Sequence, residues 1–124
     1  MISGRLNTEL LERCADFGSR ALRLVEKLDK DRRPRRIVDQ LAGASVGGLA
    51  HFFEASEALS ERDFIKTLGI AAKELSESQY WFTIVKNANW IHETQLDELI
   101  VENQELLRIT KSMIARTKAN QRKP

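Results

Sequence analysis

Leu10, Cys14, Phe17, Ala21, Leu24 and Leu28 alternate spacings of four and three, and the same rhythm returns in three later segments of the chain. A repeat near 3.6 residues lines apolar side chains along one side of a helix, whereas a strand would need alternation by two. The later stripes are Val38, Leu41, Ser45, Leu49 and Phe52; then Phe64, Leu68, Ala71, Leu75, Ser78, Phe82 and Val85; then Leu96, Ile100, Asn103, Leu107, Thr110, Ile114 and Thr117. The spacing predicts helices over about 6–29, 34–58, 61–87 and 94–117.

The breaks between stripes carry the matching punctuation. Asp31 to Arg33 interrupt the first, and Pro34 suits the first turn of the next helix, where its missing N–H is not needed. Ser60-Glu61-Arg62-Asp63 places a hydroxyl acceptor and two carboxylates at a helix start. Asn87-Ala88-Asn89 tolerates a turn, and Thr94 with Asp97 repeats the capping signal. Short connections between long helices imply antiparallel neighbours. The expected fold is therefore all-α, an antiparallel up-and-down four-helix bundle over residues 1–118, with 119–124 a flexible basic tail lacking an apolar stripe. A chain of 124 residues suits one such core.

Two features make the apolar surface wider than a single bundle requires. Beside the first stripe runs a second, Leu11, Ala15, Gly18, Leu22 and Val25, more width than one partner helix covers. The stretch QLAGASVGGLAHFFEA, from Gln40 to Ala55, sets Gly43, Gly47 and Gly48 among alanines and a serine. It is no phosphate loop: nothing basic follows the glycines as G-x-x-x-x-G-K-[ST] demands, and no strand precedes them. Gly43, Gly47 and Ala50 instead share one side of a helix that another backbone can approach. Each interior glycine costs roughly 1 kcal/mol relative to alanine, so packing within the chain or between chains must offset it. Self-association is the expectation.

Charge is segregated. Met1 to Arg36 holds ten Lys/Arg against six Asp/Glu, Ile37 to Arg108 five against twelve, and Ile109 to Pro124 five against none. One basic cluster is Lys30, Arg32, Arg33, Arg35 and Arg36; another includes Lys111, Arg116 and Lys118, with Arg122 and Lys123 beyond. Such clusters attract phosphate backbones, or else are solvated loop and helix-end charge. Trp90, in the third connection, falls at the same end of an up-and-down bundle as the Lys30 to Arg36 loop. It either joins that basic surface or plugs the bundle end together with Ile91.

Catalytic chemistry finds no footing. A di-iron bundle needs Glu-x-x-His, but positions 48 and 89, three before His51 and His92, are glycine and asparagine. The single cysteine, Cys14, lies on a core stripe and reads as filler. His51 and Glu54, one turn apart, with Gln40, read as a polar network at an interface, and Tyr80 as a partner for His51. No metal, cofactor or catalytic residue is expected. No apolar run approaches the ~20 residues of a membrane span, and no signal-peptide pattern opens the chain, so a cytoplasmic protein without membrane contact is expected.

Asp63-Phe64-Ile65, Leu68, Ile70-Ala71, Lys73-Glu74 and Tyr80-Trp81 match in type and spacing the pattern D-F-I-x-K-L-x-I-A-x-K-E-x-x-E-T-x-Y-W. That is the third helix of the four-helix-bundle proteins encoded in intervening sequences of bacterial large-subunit (23S) ribosomal RNA genes, which this chain resembles. In the same register Gln40-Leu41 fall on the family's Q-L and Glu54-Ala55 on the end of its S-I-G-A-N-I-A-E-A segment. Gly47, Gly48 and Leu49 stand where S-I-G is usual, and His51 replaces the asparagine. Leu99, Glu102, Glu105-Leu106 and Ile109 resemble its fourth helix, so the likeness spans roughly residues 10–118. It implies a homopentamer without established enzymatic activity. A related branch serves as accessory subunit to the reverse transcriptases of diversity-generating retroelements.

Residues and resemblance together point to a non-catalytic, homo-oligomeric scaffold that binds RNA or DNA through basic end surfaces. The competing expectation is an adaptor that recruits a protein partner and touches no nucleic acid.

Overall fold

In the computed structural model, which describes residues 4–122, Asn7 starts the first helix by accepting the Leu10 N–H on its side-chain oxygen at 2.7 Å. Helix α1 spans Thr8–Lys30. Its buried residues Cys14, Phe17, Ala21, Leu24 and Leu28 are those of the first stripe apart from Leu10, which is half-buried. Ser60 caps α4, Glu61–Asn87, by accepting the Asp63 N–H at 3.1 Å. All seven stripe residues of α4 are buried. The described residues contain no strand, and antiparallel helices pack as a four-helix bundle.

The second rod follows the expected span but is not one α-helix. Arg35–Leu41 forms α2, Ala42–Gly47 a π-helical turn, and Ala50–Ser56 forms α3. Gly48 and Leu49 between them keep right-handed helical angles, so the rod continues without a loop. The widened turn lies where the rod packs on both α1 and α4. A Cβ on buried Gly48 would stand 2.6 Å from the Glu74 Cβ and would also strike the Ala44 carbonyl. Glycine is what allows that approach. Inside the π turn the Ser45 hydroxyl donates to the Leu41 carbonyl at 2.6 Å, satisfying a fully buried polar group.

Helix α5 spans Glu93–Gln121 and corrects three expectations. Its N-cap is His92, whose Nδ1 accepts the Thr94 N–H at 3.3 Å, so Thr94 lies inside the helix instead of capping it. Its buried face is Leu96, Leu99, Asn103, Leu106 and Thr110; Ile100 and Leu107 are only half-buried, because adjoining apolar rows exist and the bundle selects the neighbouring one. The helix also runs through the stretch expected as a tail, as far as Gln121. Absence of an apolar stripe argues against burial, not against helix, and Lys118, Ala119 and Gln121 are good helix formers. Residues 123–124 lie outside the described ones.

Three phenylalanines from three rods, Phe17, Phe52 and Phe82, are fully buried at the centre. Phe17 and Phe82 meet edge-to-face with ring centres 6.2 Å apart. Burial of each ring contributes roughly 1.5–3 kcal/mol, and the edge-to-face pair adds about 0.5–1.5 kcal/mol. Across the α1/α5 seam the Arg13 Nε and Nη2 donate to both carboxylate oxygens of Glu102 at 2.7 Å.

Candidate nucleic-acid interface

The basic loop is built by the way α1 ends. Arg33 N–H donates to the Leu28 carbonyl at 3.0 Å and Arg32 N–H to the Asp29 carbonyl at 3.0 Å. Closing that turn requires Arg32 in the left-handed region, φ 57°. No glycine occupies the position, and an arginine there is held at a cost of roughly 1–2 kcal/mol. Pro34 then opens α2, its carbonyl accepting from Ile37 and Val38 N–H at 3.0 and 3.1 Å.

Acidic neighbours partly neutralise the cluster. Arg35 pairs with Asp29 and, at 3.2 Å, with Asp39, while Lys27 holds Asp31 at 3.2 Å. Among the described residues Lys30, Arg32 and Arg36 are exposed and have no carboxylate within ion-pair distance. Arg33 takes a different place. Its guanidinium carbon sits 5.0 Å from the centre of the Trp90 ring, and its Nε is buried without a hydrogen-bond partner. Both sequence readings of Trp90 hold together: the half-buried indole packs on the core beside buried Ile91 while carrying a loop cation on its face. Nearby, Lys86 donates to Asp97 at 2.7 Å, and that carboxylate raises the ammonium pKa above its ordinary value.

Lys111, Arg116 and Lys118 lie exposed on α5, toward the opposite end of the bundle. Because the helix continues to Gln121, they form a rigid basic flank on a rod about 43 Å long. Next to it, Arg108 is clasped by Glu105 and holds that carboxyl below its usual range.

The residues expected at a packing face divide. Gly43, Gly47 and Ala50 are exposed, and a Cβ at Gly43 would meet nothing within 4 Å. Among the described residues no neighbouring rod covers Gly43, and of the three glycines in the second rod only Gly48 is closely approached by another helix. Beside it opens an apolar groove of about 290 Å³ between α1 and the second rod, with Ala15, Gly18 and Leu22 facing Leu49, Ala50 and Phe53. Leu22 and Phe53 remain 45% and 46% exposed there. Helix periodicity had shown the surplus width of α1, and this groove is where it surfaces.

Trp81 is half-buried against the core, but Tyr80 points outward, 58% exposed, and meets Trp81 edge-on with ring centres 4.9 Å apart. It is not the partner of His51, because consecutive helix residues point about 100° apart and only Trp81 turns toward the bundle. His51 Nδ1 lies 3.4 Å from a Glu54 carboxylate oxygen without forming a hydrogen bond, and Gln40 is exposed and takes no part. Cys14 is fully buried; desolvation pushes its thiol up to about 12, which keeps it protonated. Among the described residues no three His, Cys, Asp or Glu side chains converge as metal ligands would. Nor is any described helix long and apolar enough to cross a membrane.

A family model described as 23S rRNA-intervening sequence protein matches residues 7–112. That range includes the basic loop and Lys111 but stops before Arg116 and Lys118. A crystal structure of a protein of unknown function from the S23 ribosomal protein family of Bacteroides thetaiotaomicron aligns with a TM-score of 0.79 at 25% identity, covering 84% of this chain and 96% of the other. No curated protein matches the chain.

Proposed function

Because the chain belongs to the 23S rRNA-intervening sequence protein family, we propose that it is a cytoplasmic, non-catalytic, homo-oligomeric bundle that binds RNA phosphates through the loop between α1 and α2. The observation that carries this reading is Arg32, an exposed cation in a left-handed conformation that glycine would occupy more cheaply. Lys30 and Arg36 flank it unpaired among the described residues, and Arg33 is anchored on Trp90. Phosphate neutralisation releases counterions, so a few exposed cations per copy become effective when copies are joined.

Joining is assigned to the groove between Leu22 and Phe53 and to the uncovered Gly43, Gly47 and Ala50 side. A ring of copies needs a head-to-tail contact, so the groove of one copy is set against a different face of the next, for which the uncovered Gly43 side is the candidate. A pentamer, as the resemblance implies, would bring five loops together.

The test is the salt dependence of RNA binding. Affinity for an RNA oligonucleotide should fall steeply between low and moderate ionic strength, and the quadruple change Lys30/Arg32/Arg33/Arg36→Ala should flatten that slope. A salt-independent interaction, or a slope unchanged by the substitutions, would favour a protein adaptor instead. Light scattering reads the assembly state, which Phe53→Glu should reduce to monomer.

A further inference from the structure

A cleft of about 400 Å³ opens between α1 and α5, beside the end of the bundle that carries Trp90. Leu24, Ile91 and Leu99 make its floor, none more than 8% exposed. Its rim is formed by Arg20, Arg23 and Lys27 from one helix and Glu98 from the other. Sequence reading did not single out these cations, because they are spread over two turns of α1 and only the helix brings them onto one side. At 100° per residue, positions 20, 23 and 27 fall within about 60° of arc.

The rim charges are not equivalent. Arg20 is occupied by Glu98 at 3.5 Å and Asp16 at 4.0 Å, and Lys27 by Asp31 at 3.2 Å. Arg23 is exposed and, among the described residues, has no carboxylate within ion-pair distance. The cleft thus combines an enclosed apolar floor with one uncommitted guanidinium at its lip. Its volume lies in the roughly 300–1,000 Å³ range of small-molecule sites.

We propose that this cleft binds a small amphiphilic anion, an aliphatic or aromatic carboxylate, with its headgroup on Arg23 and its apolar body over Leu24, Ile91 and Leu99. The guanidinium offers paired N–H donors that match a carboxylate, and the floor removes a short chain from water. A polynucleotide is the poorer fit, since its sugar-phosphate chain gains little from an apolar floor and would run past the Glu98 carboxylate on the rim. The groove at Leu22 and Phe53 has no charged lining and lacks this chemistry. The proposal is independent of RNA binding at the loop.

Octanoate is the probe, with 1-octanol as the uncharged arm, followed by methyl NMR of the full chain. Saturable shifts are expected at the Ile91, Leu24 and Leu99 methyls. Arg23→Ala should weaken octanoate by about tenfold, the equivalent of one charge-assisted hydrogen bond, and leave octanol unchanged. Gln95→Trp, an exposed rim position in the same cleft, should block both ligands while the far-ultraviolet circular dichroism stays that of the parent. The assignment is overturned if the shifts fail to saturate or cluster at Leu22 and Leu49 instead. Equal weakening of both ligands by Arg23→Ala, or binding that survives Gln95→Trp, overturns it too.

Discussion

The Arg33 guanidinium lies on the face of the Trp90 indole, its central carbon 5.0 Å from the ring centre. Those residues come from connections far apart in sequence, so the contact ties the α1/α2 turn to the α4/α5 turn and closes one end of the bundle. With its Nε buried and unbonded, Arg33 depends on the ring for its position. Trp90→Ala is expected to lower the unfolding free energy by about 2 kcal/mol, from lost apolar burial and the lost cation–π contact. Trp90→Phe should retain most of that stability. Urea denaturation measures both, and equal stability of all three proteins would contradict the closure.

Glycines in the second rod should respond to alanine with opposite signs. Gly48→Ala forces a Cβ against the Glu74 Cβ and the Ala44 carbonyl, so α4 must move away, and a loss of about 2 kcal/mol is expected. Gly43→Ala meets nothing within 4 Å and should raise protomer stability by up to about 1 kcal/mol. Gly69→Ala, equally open on α4, is the control that stabilises without touching the second rod. If the Gly43 side joins copies, Gly43→Ala stabilises the protomer and yet reduces the assembled fraction, two readings that thermal melts and light scattering separate.

The fold was legible because its information is periodic. The first stripe of α1, apart from half-buried Leu10, and the stripe of α4 reappear as buried faces, while the second stripe of α1 stays partly exposed, and Ser60 caps where a hydroxyl precedes two carboxylates. Position within a wide stripe was less legible: Leu99 and Leu106 displaced Ile100 and Leu107 from the core, since both rows are apolar and only the bundle chooses between them. The π turn at Ala42–Gly47 has no local signature; it is seen only where the second rod packs on α1 and α4. Charge clusters were read from neighbours in sequence, which found Lys30 to Arg36 but missed the Arg20, Arg23 and Lys27 rim. Pairing was invisible as well, because Arg35 is held by Asp29 and Asp39 only once the turn is formed.

Burial of Cys14 makes stability depend on alkaline pH. Desolvation raises its thiol from 9.0 to about 12 in the folded chain. The neutral thiol is favoured by folding, so this contribution is fully present below pH 9 and is lost as pH rises toward 12, while the unfolded chain ionises first. The stability of the parent should therefore fall more steeply between those values than that of Cys14→Ala. The difference between the two proteins isolates the thiol from tyrosine and lysine titration. Below pH 9 a thiol reagent should modify Cys14 only as fast as the bundle opens.

Asn103 is fully buried on α5, and its Nδ2 donates to the Leu75 carbonyl and to the Gln79 side-chain oxygen, each at 2.9 Å. Its Oδ1 is buried without a partner. A leucine would remove that unsatisfied oxygen and lose both donations, while Leu75 keeps its place in the helix ladder and half-buried Gln79 can turn toward water. Asn103→Leu is therefore expected to change stability by less than about 1.5 kcal/mol. Aspartate is isosteric but buries a charge facing the Leu75 carbonyl and the Gln79 side-chain oxygen, a cost of about 3 kcal/mol at neutral pH. Burial raises the carboxyl pKa in the folded state, so Asn103→Asp should approach the parent near pH 4, where the acid is neutral, and weaken as pH climbs toward 7. Urea titrations of both variants at the two pH values give the comparison. An aspartate variant equally stable at pH 4 and pH 7 would mean that water reaches this layer of the core.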